Sequence, residues 1–286
     1  KFLVINRTSG EVVAWEGGAN RRMGIAPDVT ETNILAGMRF INSMDLWKGA
    51  GTAIPVFSLR SYDDMGVGDF YDLIGMIETH QRILQLLPIN DTTMTHTWTD
   101  SYPYNANSTF ALHPMYLRVT ELGELTDAAR RDYFKAAAEE LNALTTVDYE
   151  RANNLKAEYL REIYAQEGKQ TLKSEEYKAF VDRNASWLLP YAAFCVLRDK
   201  FGTPDFKQWG NFAEYSDKVL KKVLSTNRDA IDLVCYTQYH LDRQMRYVHD
   251  YAASKGVALK GDIPIGISRT SVDAWTDPRL FNMDCQ

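Results

Sequence analysis

The sequence predicts an α/β protein: the N-terminal part of a (β/α)₈ TIM-type barrel with a large helical insertion, preceded by a β-hairpin. Three observations lead there. The runs IPVFSL (54–59), RILQLLPI (82–89) and GVALKGDIPIGI (256–267) are short and nearly continuously apolar, as strands covered on both faces must be. The first two are separated by one helical pattern, which gives a strand–helix–strand unit with parallel pairing and a right-handed crossover. The second and third are separated by a long helical stretch, about 122–228, and barrels accommodate such insertions in their loops. Three of the eight strands that a barrel needs are visible, hence a first part and not a closed whole.

Each element has its own justification. FLVI (2–5) and EVVAW (11–15) are strand-like, with the turn residues NRTSG between them and Gly17 and Gly18 after. Two strands bury no hydrophobic face alone, so this hairpin calls for a partner. Asp69 is placed to cap a helix whose apolar face is Phe70, Leu73, Ile74 and Ile77. Within the insertion, breaks are expected near Gly168, Pro190 and the FGTPDF turn at 201–206. A last long helix, about Asp229 to Ser254, puts Leu241, Met245, Val248 and Ala252 on one face and stops at Gly256. The domain division expected is 1–28 for the hairpin region, 29–50 for a linker and 51–286 for the barrel part.

Bulk properties exclude several classes. The 286 residues carry 32 Lys and Arg against 38 Asp and Glu, a formal charge of −6, which argues against a nucleic-acid backbone or an anionic membrane as partner. The longest apolar run, WLLPYAAFCVL (187–197), is too short to span a bilayer. Cys195, Cys235 and Cys285 form neither a metal spacing nor a disulfide framework, which points to a reducing cytoplasm. DMGVGD lacks the glycine pattern of a phosphate loop and is a turn. The chain opens at Lys1 without an initiator Met, and a piece of a longer protein is the expectation.

In parallel α/β folds the binding groups gather where strands end. After the first strand come Ser58, Arg60 and Ser61. After the second come Asn90, Asp91 and the loop TTMTHTWTDSYPYNANSTFALHP (92–114), with Trp98, Ser101, Tyr102 and Tyr104. The third ends in Asp262, with Asp273 and Trp275 nearby. Aromatic faces beside carboxylates and amides suit a sugar, whose C–H faces stack while its hydroxyls are hydrogen-bonded. The same rings would also serve to fill space beneath the helical insertion, polar tips bonded. Asp262 lies between apolar runs and needs a partner to offset desolvation; a purely structural aspartate fits as well. His96 and His113 have no metal-ligand partner at useful spacing and read as hydrogen-bonding residues.

The blocks SLRSYDDMGVGDFYDL, LLPINDTT, DSYPYNANSTFALHPMYL and GDIPIGISRTSVDAWTDPRLFNMD resemble the 4-α-glucanotransferases, or amylomaltases, of glycoside hydrolase family 77. The resemblance covers about 46–119 and 229–286, and its wording is nearest to the maltose-handling branch. KFLVINRTSGEVVAWEGGANRRM is similar to the last two strands of a family-20 starch-binding module, which implies sugar contacts from Trp15, Glu16 and Asn20. The amylomaltase resemblance implies that Tyr104 lies at the sugar ring next to the scissile bond and that Asp262 lines the same region. Ser101 and Tyr102 begin the family's loop, although the family usually has Ser where this chain has Tyr102. Asn90, Asp91 and Trp275 complete the expected substrate-binding set.

The family chemistry is retaining: an Asp nucleophile forms a glucosyl-enzyme, a Glu serves as acid and then base, and a third acidic residue supports the transition state. The resemblance places all three beyond Gln286, so no catalytic residue is expected within the chain, and the chain alone is expected to be inactive. It further implies no metal or cofactor, a cytoplasmic location, and α-1,4-glucans (maltose, malto-oligosaccharides, starch or glycogen) as partners. A homodimer is one way to cover the unpaired strand edge of a partial barrel. An α-glucan hydrolase on a similar barrel and a non-catalytic glucan-binding protein are the alternative readings.

Overall fold

The computed structural model describes residues 1–20, 39–40, 48–79 and 81–283. These fall into two compact units, 1–49 and 50–286. The end of the expected N-terminal module and most of the 29–50 linker lie outside the described residues, as does Cys285.

In the first unit β1 (Leu3–Ile5) pairs antiparallel with β2 (Val12–Trp15), Leu3 opposite Trp15 and Val4 opposite Ala14. The turn between them closes on Asn6, whose side-chain oxygen accepts the backbone N–H groups of Thr8 and Ser9 at 2.9 and 3.2 Å.

The second unit contains a parallel sheet in the order β3 (Gly51–Ile54), β4 (Ile83–Leu86), β5 (Ala258–Lys260). Gly51 sits so close to β4 that a Cβ there would lie 1.9 Å from the Ile83 carbonyl oxygen. Two strand expectations need correction. The first strand is GTAI and not IPVFSL: Pro55 has no N–H to give a ladder, and Val56–Ser58 turn into a 3₁₀ helix instead. The third strand stops at Lys260. The IPIGI that follows is not a strand, and Ile263 and Ile265 are 77% and 94% exposed. Gly261, Pro264 and Gly266 interrupt it, and proline cannot donate to a ladder.

Between β3 and β4, a 3₁₀ turn (Phe70–Asp72) leads into α1 (Leu73–Ile77). Asp69 accepts the Tyr71 N–H while the Asp72 carboxylate accepts the N–H of Asp69, a reciprocal capping box. Phe70, Leu73 and Ile77 are buried. The insertion consists of α2 (Ala128–Asn142), α3 (Tyr149–Thr171), α4 (Glu175–Phe201) and α5 (Asp217–Thr226), after which α6 (Arg228–Ser254) returns the chain to β5.

The break expected near Gly168 comes just after it, between Thr171 and Glu175, whereas Pro190 breaks no helix. Gly168 lies within α3, where the Tyr164 ring would stand 2.4 Å from any added Cβ. Pro190 lies within α4, whose next turns bury Tyr191, Ala192, Ala193, Phe194 and Leu197. That packing outweighs the roughly 3 kcal/mol that an internal proline costs. FGTPDF does end α4, with Gly202 at φ 66° as its left-handed cap.

One core cluster joins the sheet and α1 to α2, α3 and α6, including Leu84, Leu86, Ile163, Leu241 and Val248. A second joins α4, α5 and α6 to α7 (Val272–Thr276) around Phe194, Trp209 and Trp275. Among the described residues no helix is long and apolar enough to cross a membrane.

Candidate functional site

The loop after β4 is built around two buried carboxylates. Asp91 is fully buried and its oxygens are saturated. One accepts the backbone N–H and hydroxyl of Thr93 at 3.0 and 2.6 Å. The other accepts the Asn107 amide at 3.1 Å and the hydroxyl of Tyr191, from α4, at 2.8 Å. A single oxygen of Asp100 accepts three consecutive backbone N–H groups, those of Met94, Thr95 and His96, at 2.7–3.0 Å. Holding this nest puts His96 at φ 60°, in the left-handed region. The His96 ring then meets Asp199 at 2.9 Å. Despite partial burial, that contact and Arg198 hold the Asp199 carboxyl down to about 2.

Farther along, His113 is buried between the Met115 N–H and the Tyr149 hydroxyl, and burial pushes its pKa down. The segment after it is pinned by Lys156, whose Nζ donates to the carbonyls of Met115 and Leu117 at 2.7 and 3.2 Å. Arg118 bonds Asp69 at 2.9 Å and also Asp72, tying this segment to the cap of α1.

The second loop, after β5, is stitched to the first. Ser268 N–H donates to the Ala106 carbonyl at 3.0 Å and Val272 N–H to that of Asn107 at 3.0 Å, while Asp273 accepts the Thr109 N–H at 2.8 Å. These bonds bring Tyr104 and Asp262 together: the Tyr104 hydroxyl donates to the Asp262 carboxylate at 2.8 Å across 158 residues of sequence. Donating to a carboxylate raises the tyrosine's pKa above its usual value. Both are half-buried, whereas Ser101 and Tyr102 beside them are exposed. The Tyr102 and Tyr104 rings lie 5.7 Å apart at 47°. Ring surface, hydroxyl and carboxylate thus share one solvent-facing spot, a combination able to stack on a pyranose and bond its hydroxyls.

Other expected site residues are engaged in holding the structure. Trp275 is core: its ring packs on Phe194, Trp209 and Tyr215, and its N–H donates to the Phe212 carbonyl. It presents no face to a sugar. Asp91, with four donors and no exposure, likewise positions the loop instead of reaching out of it. Asn90 is half-buried and donates to the Ser108 carbonyl at 3.2 Å. Arg60 bonds the carbonyls of Leu141 and Asn142 at the C-terminus of α2, where a cation is favourable. In the first unit the Trp15 ring is 58% exposed and Asn20 is exposed, but Glu16 is buried, accepting the Phe2 N–H at 3.0 Å.

Sequence reasoning missed Tyr191, Lys156, Gln238 and Gln244, which position the loop from helices distant in the chain. Each looks like an ordinary polar residue on a helical face, and only its burial shows its use. Among the described residues no cluster of His, Cys, Asp or Glu could hold a metal ion.

Residues 54–286 match the family model described as 4-alpha-glucanotransferase. The chain is 44% identical over 245 residues to the 4-alpha-glucanotransferase DPE2 of Oryza sativa subsp. japonica, covering 83% of this chain and 26% of that protein. It is 31% identical over 247 residues to the 4-alpha-glucanotransferase of Chlamydia muridarum, covering 84% and 46%. It therefore spans about a quarter of the rice relative and under half of the chlamydial one. Among solved structures, it resembles the amylomaltase of Streptococcus agalactiae in complex with acarbose, with a TM-score of 0.65, 24% identity, and coverage of 83% of this chain and 48% of that one. The Corynebacterium glutamicum amylomaltase gives a TM-score of 0.63 at 19% identity, covering 79% and 32%. At those identities the likeness is one of fold.

Proposed function

Because the chain belongs to the 4-alpha-glucanotransferase family, glycoside hydrolase family 77, we propose that it forms the substrate-holding first part of such an enzyme. The whole enzyme moves a glucosyl unit or short α-1,4-glucan from maltose or a malto-oligosaccharide to a glucan acceptor. The reaction is a retaining double displacement, whose nucleophile and acid/base come from segments beyond Gln286. The observation that carries this reading is the Tyr104–Asp262 hydrogen bond, which joins the loops that follow two neighbouring parallel strands into one rim.

In this role Tyr104 stacks on or bonds the sugar beside the scissile linkage, and Asp262 fixes the tyrosine's hydroxyl. Ser101 and Tyr102 extend the rim, with Asn90 behind it. An acceptor sugar held there displaces the water that would otherwise hydrolyse the glucosyl-enzyme. The sheet order β3–β4–β5 fits the opening strands of a (β/α)₈ barrel. The exposed Trp15 ring is consistent with the hairpin being the end of a starch-binding module. The free buried thiols of Cys195 and Cys235 suit a reducing cytoplasm, and a homodimer remains a way to cover the sheet edge.

The test is titration of the chain with maltoheptaose, with Tyr104→Ala and Asp262→Asn as variants. Loss of affinity by tenfold or more in both supports the rim; unchanged affinity in both sinks it. For the reaction, the full-length protein incubated with maltotriose should yield longer glucans, and release of glucose and maltose without elongation would make it a hydrolase.

A further inference from the structure

A second groove lies between α4, α6 and the far end of the aromatic loop, with a volume of about 390 Å³. Phe110, Phe180 and Trp187 give it ring surface; Asn184, Asp242 and Arg246 give it polar groups. None of these belongs to the Tyr104–Asp262 rim. The geometry points to this groove as a separate binding site for an α-glucan chain, an inference that rests on the glucan reading above.

Four features define the occupant. The Phe110 and Trp187 rings stack, 15° apart in plane with centroids 6.0 Å apart, and both line the groove. Phe110 is 60% exposed, yet it is firmly held. Its own N–H and that of Ala111 donate to Ser108 Oγ at 3.2 and 3.0 Å, and the Thr109 N–H is bound by Asp273. A ring held out to solvent in this way is available for burial by a ligand, which would gain the apolar area covered. The Trp187 indole N–H is consumed internally by Asn184 Oδ1 at 3.1 Å, and Asn184 in turn donates to the Phe180 carbonyl, so the indole is locked in place with its ring left for contact. Finally, Arg246 bonds both oxygens of Asp242 at 3.1 and 3.0 Å. The pair cancels its own charge while keeping further donors and lone pairs.

The groove thus suits a neutral ligand with flat C–H faces and hydroxyls on its edges. A phosphate or polyanion would meet Asp242, and an aliphatic peptide would leave the ion pair desolvated without partners. A malto-oligosaccharide satisfies both requirements. A chain anchored here while its end is processed elsewhere would raise the local concentration of acceptor.

The decisive experiment is a ¹H–¹⁵N NMR titration of the 286-residue chain with maltoheptaose, following the Trp187 indole resonance assigned through Trp187→Phe. Cellohexaose serves as the β-linked control. The Trp187 signal should shift with maltoheptaose, weaken at least tenfold in affinity in Phe110→Ala, and keep its affinity in Tyr104→Ala. Phe110 is exposed, so its truncation leaves the fold intact, and Arg246→Ala provides a second surface variant expected to weaken the same signal. A Trp187 signal unmoved by saturating maltoheptaose, while signals around Tyr104 respond, would overturn the groove and leave the rim standing. Equal response to cellohexaose would overturn its α-glucan character. Response at Trp187 alone, with none around Tyr104, would keep the groove and overturn the rim. Silence at both would overturn the two together.

Discussion

Asp91 and Asp262 each stand in the segment that follows a parallel strand, and each is a carboxylate, yet they have opposite fates. Asp91 is fully buried with four donors on its two oxygens, two of them from α4 and the far side of its own loop. Asp262 is half-buried and receives one side-chain donor, the hydroxyl of Tyr104, besides the adjacent N–H of Ile263. The comparison teaches that a strand-end acid builds the loop when its hydrogen-bonding capacity is filled from within. It is left for a ligand when that capacity stays open toward solvent.

The largest expected effect breaks the builder. Asp91→Ala strands the hydroxyl of Tyr191, the amide of Asn107 and the N–H of Thr93, and should lower stability by roughly 3 kcal/mol or more, read from the urea midpoint. Asp262→Ala, at a half-buried rim open to solvent, should cost no more than about 1 kcal/mol relative to the parent in the same assay, the worth of its one side-chain hydrogen bond. Equal costs at the two sites would erase the distinction.

Next comes acid. His240 is buried beside Tyr236 and Tyr239, its Nε2 has no hydrogen-bond partner among the described residues, and burial depresses its pKa to about 4 from an ordinary 6.5. His113 is depressed in the same direction. Because the folded values lie below the unfolded ones, the unfolded chain binds more protons as the solution is acidified. Stability is intact above about pH 6.5 and is lost as pH falls toward 4, by about 3 kcal/mol for His240. Thermal melts across that range should show the slope in the parent and a shallower one in His240→Leu.

Smaller again is Tyr191→Phe, which removes one donor to Asp91 and should cost about 1 kcal/mol in the urea midpoint. The smallest change sharpens the binder. Asp262→Asn should leave stability within about 0.5 kcal/mol but bring the titration of Tyr104 back down toward its ordinary value. Tyrosine Cζ NMR shifts against pH would show this, and no shift would mean that the hydrogen bond does not persist in solution.

Much of the framework was legible beforehand. The helix cap at Asp69, the long α6 and the parallel strand–helix–strand unit follow from spacing alone, because period and cap chemistry are local properties. Tyr104 and Asp262 were legible as a pair of interest through resemblance, while their hydrogen bond needed the fold. Trp275 and Asp91 were misjudged because residue type reveals chemistry and not burial. Pro190 and the IPIGI run were misjudged for the converse reason. In α4, tertiary packing overrode a local helix breaker, whereas after β5 two glycines and a proline overrode an apolar pattern.

Gln238 and Gln244 add one more consequence. The Gln238 amide accepts the N–H of Leu112 at 2.9 Å and donates to its carbonyl at 2.7 Å; Gln244 does the same for Arg118 at 2.9 Å in both directions. Two side chains of one helix thereby stand in for a neighbouring strand. The amide protons of Leu112 and Arg118 can therefore trade with deuterium only when α6 lets go. Loop residues of this kind should exchange on the slow timescale of the helix core, not on that of a surface loop.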